Sequence, residues 1–186
     1  MRVISKGTYY QTSVESPLGK IILGSDGESL IGLWKEGQRY FDRTAPGRML
    51  TMDSLEVFSA AKDWLGRYFA GLQPEISELP LSPIGGEFRQ TVWNLLKEIP
   101  YGEVITYGEL ARKIAAQQGI ERMSPQAVGG AVSHNPISII IPCHRVIGAN
   151  GSLTGYAGGI PMKIQLLRHE GIDLTHFSIP GKGIGK

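Results

Sequence analysis

One stretch of this 186-residue chain constrains the fold more than any other: an apolar run that leads into the only cysteine. The segment Ile137 to Ile141 contains four isoleucines and one serine, which predicts a strand buried on both faces. Pro142 ends this run, and Cys143 and His144 follow directly. A nucleophilic cysteine reacts as the thiolate and needs a rigid, activating environment, so this junction is a candidate site.

A lone cysteine also has a simpler interpretation, a buried structural thiol, because free cysteines are among the most buried residues. The residues beyond it favour a site. Asn150-Gly151 predicts a turn, and the segment Gly155 to Gly159 sets Tyr156 among glycines that let a ligand approach the backbone. Both interpretations of Cys143 stay open on these residues alone, although a Pro-Cys-His-Arg junction favours function.

Composition excludes several classes of protein. Hydrophobic residues make up 41% and charged residues 19% of the chain, as in an ordinary globular protein. One cysteine permits neither an internal disulfide nor a Cys-rich zinc site. No secretory signal pattern and no bilayer-length apolar stretch is visible, so we expect a cytoplasmic protein. The net charge of +2 permits nucleic-acid binding without requiring it.

The pattern of apolar runs and turn residues predicts two domains and a tail. Three short apolar runs separated by turn residues predict antiparallel hairpins over residues 8–41, and a helix follows from Asp53-Ser54 to Gly71. The Pro- and Gly-rich stretch from Gln73 to Gly86 predicts a linker. We therefore expect domains over residues 1–80 and 86–171, followed by a flexible tail over residues 172–186.

The second domain is predicted to be mainly helical. Apolar residues recur at helical spacing from Phe88 to Ile99. Thr106 and Glu109 fit a capping box at the start of a helix that ends at Gly119. The next helix starts at Ser124-Pro125 and runs to about residue 134, which gives a helix-turn-helix arrangement. A final helix is predicted from residue 161 to 170.

Three residues of this domain do not fit simple helix rules. Gly129 and Gly130 lie inside a predicted helix, where each costs about 1 kcal/mol relative to alanine. Close packing against another helix and close approach to a nucleic-acid backbone both account for such small residues, and the sequence does not decide between them. Glu170 lies at the C-terminal end of a helix, the wrong end for an anion, so we expect a specific partner for it.

The cysteine segment has a close counterpart in a known family. The sequence Ile-Pro-Cys-His-Arg-Val at residues 141–146, preceded by Asn135-Pro136 and followed by Gly-Tyr-Ala-Gly-Gly at residues 155–159, resembles the active-site signature of the O6-alkylguanine-DNA alkyltransferases. These are also called methylated-DNA-protein-cysteine methyltransferases. The resemblance extends from about Phe88 to Gly171 and more loosely over the N-terminal part.

The resemblance implies an α/β (α+β) fold, with an N-terminal antiparallel-sheet lobe like RNase H and a C-terminal winged helix-turn-helix alkyltransferase lobe. It also implies the activity: irreversible transfer of the alkyl group from O6-alkylguanine in DNA, with O4-alkylthymine as a further candidate, to the protein's own cysteine. Each molecule would act once. We expect no cofactor, no metal and no membrane partner, and a monomer that binds double-stranded DNA containing O6-alkylguanine.

The same resemblance assigns roles to five residues. Cys143 is the nucleophile, His144 the base that acts through a bridging water, and Glu170 the carboxylate that orients this histidine. Asn135 is a hinge between the recognition helix and the cysteine loop. Tyr107 matches the tyrosine that donates a hydrogen bond to the departing purine.

The implied DNA- and base-binding residues lie on the recognition helix and around the cysteine. In this family the recognition helix enters the minor groove and the damaged base is flipped out of the stack. Carbonyl groups of Cys143 and Val146 would accept from the guanine amino group, the Ala157 N–H would face the alkylated oxygen, and Tyr156 would form a wall. The remaining positions are on the helix: Gln126, Ala127, Gly129, Gly130 and Ser133.

Two positions depart from the family pattern. Gln126 stands where many members place an arginine that fills the gap left by the flipped base, and a glutamine is shorter and uncharged. Ala157 replaces the family's serine, which keeps the backbone donor but loses the hydroxyl group. No second cysteine-bearing region is present, so we expect no metal-containing N-terminal extension.

Two other functions compete with alkyl transfer. A cysteine hydrolase also uses Cys and His, but its histidine normally comes from a distant segment, and it leaves the predicted helix-turn-helix unexplained. A non-transferring sensor of alkylated DNA, or a DNA-binding regulator, explains the helix pair without chemistry. Sensors of that kind lack the reactive cysteine, which this chain keeps at Cys143.

Overall fold

The structure is a computed structural model that describes residues 7–179. The chain forms two compact units. The N-terminal unit extends to Ile84 and also includes Pro136–Ile140, whereas the C-terminal unit comprises Gly85–Asn135 and the residues from Ile141 onward. Among the described residues, no helix is both long and apolar enough to cross a bilayer.

A four-stranded sheet is the centre of the N-terminal unit. Strands β1 (Tyr9–Ser16), β2 (Gly19–Ser25) and β3 (Leu30–Lys35) form antiparallel hairpins, as the alternation of apolar runs and turns predicts. Strand β4 (Met49–Thr51) pairs with β1 in parallel. The sheet order is β3-β2-β1-β4, so the sheet is mixed rather than wholly antiparallel.

Two helices complete this unit. A single turn, α1 (Phe41–Thr44), precedes β4, and α2 (Glu56–Phe69) follows it close to the predicted position. The buried face of α2 is apolar, which places it in the core of the unit. Its buried residues are Val57, Phe58, Ala61, Trp64, Leu65 and Tyr68.

The apolar run before the cysteine is buried but is not a strand. Ile137 alone bridges to Leu33 of β3, through the Leu33 N–H donating to Pro136 O at 2.8 Å and the Ser138 N–H donating to Leu33 O at 3.1 Å. The chain then turns at Ile139, whose φ is 71°. The strand prediction for Ile137–Ile141 is therefore wrong, because the periodicity of apolar residues reports burial and not backbone conformation.

The C-terminal unit is mainly helical, as predicted, and the whole molecule confirms the α/β (α+β) class. Helices α3 (Glu87–Leu96), α4 (Tyr107–Gln118) and α5 (Pro125–Ser133) form its first half. The predicted capping box of Thr106 and Glu109 opens α4. Trp93 Nε1 on α3 donates to Ala131 O on α5 at 2.9 Å, which holds the second helix of the helix-turn-helix pair against α3.

The second half carries short strands and one helix. Strands β5 (Ile105–Thr106) and β6 (Val146–Ile147) pair in parallel, and α6 (Ile160–His169) follows. Short turns of 3₁₀ helix cover Cys143–Arg145 and Ala149–Gly151 here, and a third, Ile76–Glu78, belongs to the N-terminal unit.

The described part of the predicted tail is packed. The Leu153 N–H donates to Ser178 O at 2.8 Å, and the Ser178 N–H donates to Gly151 O at 3.0 Å. Apolar side chains also pack against a cluster that includes Leu153 and Leu167; they are Ile172, Leu174 and Phe177. The expectation of a flexible tail therefore does not describe residues 172–179, because their apolar side chains have a surface to cover. The rest of it, residues 180–186, lies outside the described residues.

Candidate active site

Cys143 begins the 3₁₀ turn Cys143–Arg145 and is 4% exposed. The turn is held at both ends. Before it, the Cys143 N–H donates to Ile141 O at 2.8 Å, and after it β6 pairs with β5. The thiol therefore sits on fixed backbone inside the C-terminal unit, as a nucleophile that must meet one atom of a substrate requires.

Asn135 is the last residue of the C-terminal unit before the chain enters the N-terminal unit at Pro136–Ile140. Its Nδ2 group donates to Ile141 O at 2.8 Å and to Cys143 Sγ at 3.1 Å. The amide thus ties the end of the segment after α5 to the start of the cysteine turn. An N–H donated to sulfur favours the thiolate over the neutral thiol, because hydrogen bonding to the charged form stabilises it.

His144 lies against Glu170, the partner that this carboxylate was expected to have. His144 Nε2 is 2.6 Å from Glu170 Oε1, and the side chains of both residues are fully buried. Burial lowers the pKa of His144, and the hydrogen bond and charge of Glu170 oppose this only in part. The neutral ring that donates through Nε2 keeps its lone pair on Nδ1, a buried atom with no hydrogen-bond partner among the described residues.

Arg145 is a site residue that the sequence analysis did not single out. Its Nε donates to Glu170 Oε2 at 2.8 Å and its Nη2 to Glu170 Oε1 at 3.0 Å, while Nη1 donates to Ile99 O at 2.5 Å. The Gly102 N–H adds a contact to Oε2 at 3.3 Å. The position of Glu170 was the available signal for Arg145. A carboxylate at the C-terminal end of a helix needs more than one hydrogen-bond donor.

The surroundings of Glu170 keep it ionised. Burial alone would raise the pKa of Glu170, but the hydrogen bond from His144 and the hydrogen bonds and charge of Arg145 hold it well below the ordinary value. One carboxylate facing one guanidinium is already neutral as a pair. A proton on His144 would add an unbalanced buried charge, so the resting histidine is neutral.

Lys163 is a second residue that the sequence analysis missed. It lies on α6 and is fully buried, where its Nζ donates to Val146 O at 2.5 Å and to Thr154 O at 2.8 Å. Burial lowers its pKa to about 8, although the negative charge of the Cys143 thiolate opposes this shift. Sequence offered no clear signal, because a lysine between apolar helix positions usually faces solvent.

Tyr107 begins α4 and reaches the loop between residues 152 and 159. Its hydroxyl lies 3.2 Å from both Thr154 O and Gly155 O. Burial, helped by the negative charge of Cys143, raises the pKa of Tyr107 above its ordinary value, so the phenol stays protonated as a donor. Gly155 has φ 76°, and a Cβ there would overlap the Tyr107 hydroxyl, so only glycine fits.

The predicted DNA-contacting positions form the outer face of α5. Val128, Ala131 and Val132 are buried on the inner face. Gln126, Ala127 and Gly130 are exposed, and Gly129 and Ser133 are partly exposed. Ser133 is bound locally, because its hydroxyl donates to Gly130 O at 3.0 Å.

Neither glycine of α5 is required by packing inside the protein. A Cβ on Gly130 would meet no described atom within 4 Å, and a Cβ on Gly129 would lie 3.7 Å from the Tyr107 ring, an ordinary contact distance. The helix-packing explanation for these residues, left open by the sequence, therefore has no support in the structure.

The residues expected around the base lie close to the cysteine in sequence but differ in exposure. Val146 and Tyr156 are buried, and Ala157 is partly exposed. Val146 O already accepts from Lys163. Among residues 7–179, no group of three or more His, Cys, Asp or Glu side chains is arranged to hold a metal ion.

Comparison with known proteins gives a consistent result over both units. Residues 87–172 match the family described as 6-O-methylguanine DNA methyltransferase, DNA binding domain, and residues 8–83 match its ribonuclease-like domain. The chain is 43% identical over 164 residues to the methylated-DNA–protein-cysteine methyltransferase of Haemophilus influenzae, covering 88% of this chain and 87% of the relative.

Two further matches agree. The protein of the same name from Methanosarcina acetivorans is 44% identical over 163 residues, covering 87% of this chain and 98% of the relative. The crystal structure of Mycobacterium tuberculosis OGT in complex with DNA is 42% identical and has a TM-score of 0.74, covering 88% of this chain and 92% of that one. With both domains matched across most of its length, the chain belongs to the 6-O-methylguanine DNA methyltransferase family.

Proposed function

We propose that this protein repairs DNA by moving the alkyl group of O6-alkylguanine onto Cys143 Sγ, once per molecule. The observation that carries the proposal is the position of the thiol: it is buried, it accepts from Asn135 Nδ2 at 3.1 Å, and it precedes a neutral histidine in the chain. A buried cysteine with only a structural role needs none of these neighbours.

The transfer is a displacement at carbon. The Cys143 proton passes through a bridging water to His144 Nδ1, and the thiolate attacks the alkyl carbon. The S–C bond forms as the C–O6 bond breaks, and the electron pair stays on the purine, which then takes up a proton to become guanine. The resulting thioether is stable and no neighbouring group among residues 7–179 is suited to hydrolyse it, so the protein is consumed by a single turnover.

Glu170 and Arg145 support this step without touching the substrate. The carboxylate accepts from His144 Nε2 and so holds the tautomer whose Nδ1 can accept a proton. Arg145 balances the carboxylate charge beforehand. When His144 takes the proton, the new positive charge faces Glu170 at 2.6 Å, which stabilises it during the transfer.

The substrate is double-stranded DNA, with O4-alkylthymine as a second candidate base. The outer face of α5 suits a close approach of the DNA backbone, because Gly129 and Gly130 add no side chains there. The damaged base is flipped out of the stack. Cys143 O and Val146 O would accept from its amino group, the Ala157 N–H would donate to O6, Tyr156 would form a wall, and Tyr107 would donate to the purine. The protein would act as a monomer in the cytoplasm.

Substituting the nucleophile separates repair from binding. Cys143→Ala should leave all O6-methylguanine in a duplex intact, measured by chromatography of the digested DNA, yet bind that duplex more tightly than an undamaged one. Loss of methyl groups from DNA in the presence of Cys143→Ala would contradict the proposal. Damage-specific binding without transfer by the unaltered protein would instead favour the sensor function.

Gln126 tests the DNA-contacting face. Gln126→Arg should tighten duplex binding, because an arginine reaches further into the gap and adds one phosphate-pairing charge. The dependence of log K on log salt should steepen by about one. Asn94→Arg, which adds the same charge at an exposed site on α3, is a control for net charge. Equal affinities for Gln126→Arg and the unaltered protein would exclude Gln126 from the gap.

A further inference from the structure

We propose that Tyr101 is a positioning residue for alkyl transfer, which holds the Glu170 carboxylate in place against His144. It acts through the ion pair of Glu170 and Arg145 and does not touch the reacting atoms. The inference rests on the proposed function, because it concerns the step in which His144 takes up the Cys143 proton.

Tyr101 lies in a tight turn between α3 and β5. The Glu103 N–H donates to Pro100 O at 3.2 Å, which places Tyr101 and Gly102 at the centre of the turn. Gly102 has φ 77°, a conformation that favours glycine. A Cβ there would also lie 3.1 Å from the Glu170 backbone oxygen. The turn therefore lies directly against the C-terminal end of α6, where Glu170 is located.

The hydroxyl of Tyr101 binds the end of α6. It donates to His169 O at 3.1 Å, one of the last carbonyls of the helix, which have no acceptor role inside the helix. Burial and the charge of Glu170 raise the pKa of Tyr101, and Arg145 opposes this only in part, so the hydroxyl stays protonated as a donor. Beside it, the Gly102 N–H donates to Glu170 Oε2 at 3.3 Å. Adjacent residues of the turn thus bind both the helix end and the carboxylate that follows it.

The ring of Tyr101 covers the counter-ion of this carboxylate. Arg145 Cζ lies 5.7 Å from the ring centroid, within the range of a cation–π contact. Arg145 Nη1 also donates to Ile99 O, two residues before the tyrosine, at 2.5 Å. The Arg145 side chain is 8% exposed and the Glu170 side chain is fully buried. The turn and the residue before it therefore contact both members of the ion pair.

The ion pair matters for the reaction because it stabilises the charge that forms on the base. When His144 takes up the Cys143 proton, Glu170 faces a positive ring at 2.6 Å, and this attraction is stronger where water is absent. Removing the Tyr101 ring would open the pair to water beside Arg145 and would take one donor from the helix end. Glu170 should then hold the imidazole less firmly and attract its charge less strongly, so transfer should slow.

Single-turnover kinetics test the proposal, because the endpoint counts active molecules and the rate constant reports on each of them. At saturating duplex containing O6-methylguanine, Tyr101→Ala should reach nearly the endpoint of the unaltered protein at a rate constant roughly 10-fold lower. The duplex concentration that gives the half-maximal rate should stay within about twofold, because Tyr101 is not on the outer face of α5. Tyr10→Ala removes a partly buried tyrosine from β1 and should match the unaltered protein in rate constant and endpoint.

Tyr101→Phe separates the ring from the hydroxyl. It keeps the ring over Arg145 and loses only the bond to His169 O, so it should recover most of the lost rate. If Tyr101→Ala does not fold, Tyr101→Leu keeps an apolar side chain without an aromatic face or a hydroxyl. This variant should still react more slowly than Tyr101→Phe at an equal endpoint.

Amide hydrogen exchange of Gly102, measured without DNA, follows the same contact independently of transfer. Its N–H is bound to the Glu170 carboxylate, so exchange should be faster in Tyr101→Ala than in Tyr101→Phe and should be unchanged in Tyr10→Ala. Equal exchange in all variants would show that Tyr101 does not hold the turn against Glu170, and would overturn the inference.

Two kinetic results would also overturn it. An unchanged rate constant in Tyr101→Ala, with or without a reduced endpoint, would limit Tyr101 to folding. An equally slow Tyr10→Ala would show that the loss does not depend on the ion pair. Either result would leave the proposed function intact, because the unaltered protein would still accept one methyl group. If the unaltered protein accepted none, the proposed function would fail and the inference with it.

Discussion

The two units of this protein bury different kinds of side chain. Among the described residues, the N-terminal unit buries apolar groups and three uncharged polar residues: Thr12, Ser25 and Ser138. The C-terminal unit buries four ionisable residues besides its cysteine: His144, Arg145, Lys163 and Glu170. The contrast indicates that the first unit is built for stability, whereas the second gives up stability for a fixed constellation of charges and donors.

The largest test of this contrast compares a buried carboxylate with an exposed one. Glu170→Ala leaves the Arg145 guanidinium buried and unpaired, which should lower the free energy of unfolding by about 3–5 kcal/mol and abolish fast transfer. Glu36→Ala breaks an exposed pair with Lys20 in the N-terminal unit and should cost about 0–1 kcal/mol. Denaturant unfolding measures both, and equal losses would remove the contrast.

Asn135→Ala tests the tie between the chain segments around the cysteine. The Ile141 carbonyl and the thiol both lose a donor, so we expect a loss of about 1–3 kcal/mol in unfolding free energy and a lower transfer rate constant per active molecule. Asn94→Ala, at an exposed site on α3, is the matched control. An unchanged rate constant for Asn135→Ala would limit this residue to a structural role.

Ile21→Val tests whether a core substitution in the N-terminal unit lowers stability without slowing transfer. Ile21 is fully buried in β2, and removing one methyl group there should lower the unfolding free energy by about 1 kcal/mol. Because no ionisable site group changes, the endpoint and the transfer rate constant should stay as in the unaltered protein at temperatures where both are folded. A slower reaction per active molecule would mean that the core of the first unit also sets the chemistry.

Acid should act on the second unit through His144, with little effect near neutral pH. Because burial lowers the pKa of His144 below its ordinary value of 6.5, the folded protein keeps the neutral base at pH 6.5, and the rate constant should fall only where the pH drops through the lowered pKa. The unfolded histidine takes up a proton as pH falls through 6.5, so stability is lost in that direction. Glu170, with its lowered pKa, adds a further loss on acidification through its ordinary value of 4.5.

Sequence predicted the parts of this structure that depend on local patterns. The capping box at Thr106, the Ser124-Pro125 helix start and the β1–β3 hairpins follow from residue spacing over a few positions. The cysteine signature indicated which family to expect. Burial of the run before Cys143 was also visible, because its apolar character does not depend on the backbone conformation.

The residues that sequence missed depend on long-range contacts. Arg145 and Lys163 are ordinary basic residues until the fold brings them against Glu170 and the Val146 carbonyl. The turn at Ile139 follows directly on the bridge from Ile137 to Leu33, more than 100 positions earlier in the numbering, and isoleucine gives no local signal for a positive φ. Contacts between residues so far apart in the chain produce no periodic pattern in a single sequence.

The most direct test of irreversible transfer to Cys143 is intact and peptide mass spectrometry after mixing the protein with excess duplex DNA containing O6-methylguanine. We expect one added methyl group per molecule, on the peptide that contains Cys143, with repair stopping at one equivalent. Continued repair beyond one equivalent, a methyl group on another peptide, or DNA binding with no change of mass would contradict it.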